Sequence, residues 1–179
     1  GLEGIIAAQS SVCFIDGDKG ILRYRGYEIS DLAVNSTFEE VVYLLWNGDL
    51  PNKAQLAEFK KSIAAETKLP PQVIEHLRSI PGDVHPMAAL RSAFSLLGHY
   101  DADAEAKADD MPVARRKAIR IQAQIGLLVG AWHRIRTGKP VVEPRPELSI
   151  AANFLLALNG EAPTAAAEKI FEAANAHPD

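Results

Sequence analysis

Residues 113–137, VARRKAIRIQAQIGLLVGAWHRIRT, constrain the fold more than any other stretch. Helix-forming residues run through it without a proline, and Gly138 and Pro140 supply the stop. Two stripes follow its helical period. Ile121, Ile125, Leu128, Trp132 and Ile135 make a bulky one, while Ala123, Gly126 and Gly130 make a small one. A glycine inside a helix costs up to about 1 kcal/mol against alanine, so two of them one turn apart call for a compensating gain. The gain expected is close approach of another helix backbone. Periodicity leaves open whether that neighbour belongs to the same chain or to a second subunit.

A helix this long needs partners, and the rest of the chain supplies them. Thr37-Phe38-Glu39-Glu40 is a capping box that starts FEEVVYLLWN, and Gly48 ends it. Asn52 to Gln55 open the next helix in a similar way, with Leu56, Phe59 and Ile63 on one face. Pro70 and Pro71 break that helix, and Pro71 suits the first turn of the following one. His85-Pro86 begins PMAALRSAFSLLGHY, and Ser30 is the expected cap of a short turn before Thr37. LSIAANFLLALN is apolar almost all round and predicts a buried helix ended by Asn159-Gly160; Pro163 and Thr164 begin the last one. The acidic, Ala-rich DADAEAKADDMP reads as a solvated loop, and VVEPRPE as a proline-stiffened connector. The strand signal is confined to SVCFIDGDKGILRYRGY, where alternation about a turn-rich centre predicts a β-hairpin over 10–25. The fold class is therefore all-α, multi-helical, with a small N-terminal β-hairpin.

Composition narrows the function. With 47% apolar and 23% charged residues the chain is globular, and a net charge of -4 argues against a basic nucleic-acid binder. The longest apolar run, IGLLVGAW, is far too short to span a bilayer, so no membrane role is expected. The N-terminus lacks the pattern of a signal peptide. A single cysteine, Cys13, fits a reducing compartment such as the cytoplasm and offers no metal cluster.

No nucleophile or phosphate-binding motif appears; GxxxxGK[ST], GxGxxG and HExxH are all missing. His76 and His99 have no partner at metal spacing. His85, before Pro86 at a helix start, is expected to cap or position that helix and not to act in catalysis. His133, Arg134 and Arg136 crowd a helix C-terminus, where cations meet the negative end of the helix dipole.

Several stretches, in order, are similar to a known family. GLEG leads into SVCFIDGDKGILRYRGYEISDLA, then STFEEVVYLLWNGDLP, HPMAALRSAFSLLG, PRPELSIAANFLLALNGEAPT and a late histidine. Together they resemble citrate synthase in its bacterial form, along essentially the whole chain. The related 2-methylcitrate synthase shares most of them, and GLEG looks more like citrate synthase proper.

The resemblance implies a mostly helical homodimer or dimer of dimers, each subunit with a large and a small domain. It implies condensation of acetyl-CoA with oxaloacetate to citrate and CoA, the entry to the tricarboxylic acid cycle. Acetyl-CoA is a substrate, so no cofactor and no metal are expected. In that chemistry an aspartate takes a methyl proton while a histidine donates to the enolate oxygen. A second histidine polarises the oxaloacetate carbonyl, and arginines hold the substrate carboxylates.

Those residues lie in the second half of family members, so no catalytic role is carried onto this chain. His177 matches the first histidine of the stretch leading to them, as a substrate-site neighbour. Residues 1–179 are thus expected to be the N-terminal part of a large domain, with helices from about 29 to 177, small domain and catalytic segments absent, and inert alone. The resemblance also implies a dimer interface on helices 86–100 and 113–137, at Pro86, Leu90, Ala123, Gly126 and Gly130. The other readings are a 2-methylcitrate synthase fragment, a non-catalytic dimerisation or regulatory module, or half of a split enzyme.

Overall fold

The computed structural model describes residues 9–107 and 109–176. Its contacts divide the chain into two units, one made of the residues up to Ala57 with those from Ile170, the other of Glu58–Lys169.

In the first unit, β1 (Cys13–Asp16) and β2 (Ile21–Tyr24) form the expected antiparallel hairpin. A third strand, β3 (Tyr27–Glu28), extends the sheet in the order β1-β2-β3 and was not expected from the alternation. It turns back through Arg25 and Gly26 alone, with φ of 50° and 91°. That two-residue turn with both φ positive has the hand that matches strand twist. Arg25 is held in this uncommon conformation by its own side chain. Its Nη2 donates to the Leu45 carbonyl at 2.8 Å and its Nη1 to Ser11 Oγ at 2.7 Å.

Helix α1 (Ile29–Asn35) follows β3 at once, with Glu28 at the cap position and no side-chain cap. Ser30 is therefore inside the first turn and not its cap, because the strand delivers the chain directly into the helix. Helix α2 (Phe38–Asn47) has the full capping box: Glu40 N donates to Thr37 Oγ1, and Thr37 N donates to Glu40 Oε2 at 2.7 Å. Gly48 ends it at φ 94°. Helix α3 (Lys53–Glu66) starts with the reciprocal Asn52–Gln55 pair and buries Phe59 and Ile63.

The second unit has its core among α4 (Pro71–Ser79), α5 (Pro86–Leu97, extended by a 3-10 turn Gly98–Tyr100) and α6 (Met111–Arg136). Val73 and Leu77 meet Ala89, Ala93 and Leu97, with Leu128, Ala131 and Trp132 from α6. The alanines at one-turn spacing on α5 let the helices come close while the leucines fill the gaps. Helix α6 also packs along α7 (Ile150–Asn159), which Ser149 caps and Gly160 ends at φ 94°. Helix α8 (Ala165–Ala176) comes last, its first turn capped by Thr164.

The connector before α7 has no regular structure, yet it is pinned. Asn153, 3% exposed, donates through Nδ2 to the carbonyls of Arg145 and Leu148 and accepts from Arg145 N. A buried amide with both ends paired replaces the hydrogen bonds that this stretch lacks.

Candidate functional site

The densest set of polar groups surrounds Arg120 on α6. Its Nε donates to Glu66 Oε2 at 3.2 Å, at the end of α3, and its Nη1 donates to Asp101. Asp103 takes a two-pronged bond from Arg116, one turn earlier on α6, at 3.1 and 2.8 Å. Lys117 Nζ lies 3.9 Å from Asp101. The Arg116 hydrogen bond, set against some desolvation, holds the Asp103 carboxyl below its ordinary 3.8. The same bond pushes Arg116 up. Burial works against the charge on Arg120, but Glu66 and Asp101 outweigh it and its pKa is raised as well.

Beside them Gln124, 6% exposed, donates to the carbonyls of Lys68 at 2.9 Å and Glu66 at 3.3 Å. It closes the open C-terminal end of α3. Two cavities, about 260 Å³ and about 140 Å³, flank this cluster and share Leu97, Arg120 and Gln124 as walls; Tyr100 borders the larger.

Chemically this is a tether. Each of these carboxylates is engaged by a guanidinium or an ammonium. Asp101 and Asp103 belong to the stretch expected to be a solvated loop; α6 ties both down and leaves them half-buried. Among the described residues, no group of three or more His, Cys, Asp and Glu could hold a metal ion. Also among them, no helix is long and apolar enough to cross a membrane.

The residues singled out in the sequence fall in different places. His85 caps α5, its Nδ1 accepting from Met87 N at 3.2 Å, and Pro86 is the exposed first residue of that helix. Leu90 is half-buried against the core, and Ala123 is buried. Gly126 and Gly130 face α7 of the same chain. A Cβ on Gly126 would lie 3.1 Å from Phe154 Cδ2, and one on Gly130 would lie 2.5 Å from Ala157 Cβ. The close approach that these two glycines allow is therefore taken up within the chain, the alternative that periodicity left open. His177 lies outside the described residues.

Arg134, in the last turn of α6, does more than the simple dipole reading implies. It is 7% exposed. Its Nε donates to the Pro140 carbonyl at 2.5 Å and its Nη1 to the Leu158 carbonyl at 3.5 Å. The guanidinium thus caps the far end of α7 and fastens the connector. Gly160 makes room for it, since a Cβ there would come within 2.6 Å of Nη1.

Fold and site together define a helical scaffold, with paired charges on its surfaces and no assembled catalytic group among the described residues. A family described as "Citrate synthase, C-terminal domain" matches residues 1–176. Citrate synthase 2 of Bacillus subtilis is 50% identical over 165 residues, covering 92% of this chain and 43% of the relative. The crystal structure of citrate synthase from Pyrobaculum aerophilum is 35% identical, with a TM-score of 0.90 over 98% of this chain and 45% of that one. Citrate synthase from Thermoplasma acidophilum, solved as a ternary complex with carboxymethyl coenzyme A and oxaloacetate, is 26% identical with a TM-score of 0.87, over 98% of this chain and 45% of that one. The chain belongs to the citrate synthase family. It spans less than half the length of these relatives.

Proposed function

We propose that this chain is the scaffold and subunit-contact part of a citrate synthase. The complete protein would condense acetyl-CoA with oxaloacetate to give citrate and CoA. The observation that carries the reading is the match of nearly the whole chain to citrate synthases in both sequence and fold. The ligands of the Thermoplasma structure, a coenzyme A derivative and oxaloacetate, support the substrate assignment. The family description names a C-terminal domain; placing this chain in the earlier part of the enzyme rests on the order of the resembling stretches.

In this reading the catalytic aspartate, histidines and substrate arginines are supplied by sequence outside residues 1–179, and His177 borders the substrate site. Helices α5 and α6 carry the homodimer contact through Pro86, Leu90 and Ala123, with Gly126 and Gly130 seating α7 behind it. The setting is cytoplasmic, consistent with a single exposed cysteine that has no disulfide partner.

The test is the intact mass of the protein from its native host, followed by an assay of CoA release. A mass well above that of residues 1–179, with oxaloacetate-dependent release of CoA from acetyl-CoA, is expected. A protein of that larger mass that released CoA from propionyl-CoA in strong preference would move the assignment to 2-methylcitrate synthase. A mass equal to residues 1–179 without activity in any mixture would overturn it.

A further inference from the structure

The hydroxyl of Ser149 is used twice. Its oxygen accepts from Ala152 N at 3.0 Å, which caps α7. Its proton goes to Glu168 Oε1, in the first turn of α8. A carboxylate acceptor makes such a bond strong. The two residues are 19 apart in the chain, and the pair ties the start of α8 to the start of α7.

An acidic side chain in a first turn also suits the dipole of its own helix. That role needs charge and no particular partner. Here the carboxylate is half-buried and engaged by a hydroxyl of another helix. Among residues 165–174 of α8, none is buried. Apolar packing within this chain therefore holds α8 weakly, and the polar tie carries more of its direction. From Glu168 to Ala176 is about 12 Å along the helix, so a tilt of roughly 5° moves the far end by about 1 Å. A displacement of about 1 Å at a reacting centre can cost about a hundredfold in rate.

We propose that Glu168 is a positioning residue for the substrate site: held by Ser149, it sets the line along which α8 leads the chain to His177. The inference rests on the function proposed above, in which His177 borders that site. Of the two substrates, oxaloacetate carries the carboxylates and the carbonyl that a neighbouring imidazole can hydrogen-bond, so its binding registers the tilt.

The test is steady-state kinetics on the complete protein. Glu168→Ala is expected to raise the KM for oxaloacetate about tenfold. Loss of folded enzyme alone would lower the apparent kcat and leave KM where it was. Glu168→Gln removes the charge but keeps an oxygen that accepts from Ser149, so its KM should stay close to the parent's. Ser149→Asp keeps a cap for α7 and removes the donor, so KM should rise as in Glu168→Ala. Adding Glu168→Gln to it gives the new carboxylate an amide donor and should bring KM back. That pair decides the question if Glu168→Ala does not fold. An unchanged KM in Ser149→Asp, in a parent that makes citrate, overturns the inference and leaves the family reading standing. A KM raised as far in Glu168→Gln as in Glu168→Ala assigns the side chain to the dipole of its own helix and overturns it too. A complete protein that makes no citrate removes the family reading and the inference with it.

Discussion

Gly130 leaves no room between α6 and α7 for a side chain of its own: a Cβ there would meet the Ala157 Cβ at 2.5 Å and its carbonyl carbon at 2.8 Å. Neither obstacle is the end of a flexible side chain. Gly130→Ala therefore has to push α7 away, at about 1–3 kcal/mol for an overpacked core. A fall in Tm of roughly 3–10 °C is expected for a chain of this size, read by calorimetry. An unchanged Tm would mean that the two helices are not in this contact.

Gly160 and Arg134 are expected to fail together. Gly160→Ala puts a side chain at φ 94° and into the guanidinium. Left-handed backbone costs an ordinary residue about 1–2 kcal/mol. Arg134→Met keeps the length but leaves two carbonyls without their donor, roughly 1–3 kcal/mol. In the double variant the second change should add less than it does alone, because both break the same seat. Strict additivity in denaturant titrations would separate them.

Asn153→Leu keeps the volume and removes all three hydrogen bonds to the connector. The expected loss is roughly 1–3 kcal/mol. Hydrogen exchange should locate it, with faster exchange at Arg145 N, whose partner is the asparagine oxygen. Equal protection at that amide in both proteins would count against the assignment.

Acid should act on the Asp103 tether. The folded protein holds the Asp103 proton less tightly than the unfolded chain does, so the ionised carboxylate favours folding. Its contribution is complete above the ordinary value of 3.8 and is lost as pH falls through the depressed value. Asp103→Asn should flatten the pH dependence of stability below that value and lower stability at neutral pH. Parallel curves for the two proteins would dismiss the tether.

Ile121 on α6 is 44% exposed although it belongs to the bulky stripe of that helix. If α5 and α6 carry the subunit contact, Ile121→Glu in the complete protein should raise the dimer dissociation constant at least about tenfold. Residues 1–179 with the same change should melt as before. Sedimentation at low concentration reads the first and calorimetry the second. A dimer as tight as the parent's would move the interface elsewhere.

Helix ends were the most legible part of the fold. Thr37 with Glu40, Asn52 with Gln55, and Gly160 announce themselves because each helix end is set by residues a few places apart in the chain, whereas the Ser149 cap of α7 was not read from the sequence. Strand β3 escaped notice because two residues cannot show alternation, and because Arg25-Gly26 is a less familiar pair for its turn than Asn-Gly. Asp101 and Asp103 looked solvated because the cations that hold them lie further along, on α6. Arg134 looked like an ordinary terminal cation for the same reason, its acceptors being Pro140 and Leu158. The glycine stripe told that something comes close and not what, since periodicity fixes a face and carries no information about its neighbour. The family resemblance was legible in the order of whole stretches, whereas the charged cluster at Arg120 had no motif to reveal it.

Arg134 and Asn153 hold opposite ends of one short stretch of chain, from Pro140 to Leu148, to the two ends of α7. That stretch has no helix or strand, and most of it faces solvent. Mechanically it is a strap, buckled at both ends to buried side chains. A loop normally opens on its own, at little cost, while the helices beside it stay shut. Here neither buckle can release without stripping a buried polar group of its partners. The strap should then open only when α7 lifts from α6, as a single cooperative event, although nothing in its backbone pairing would suggest so.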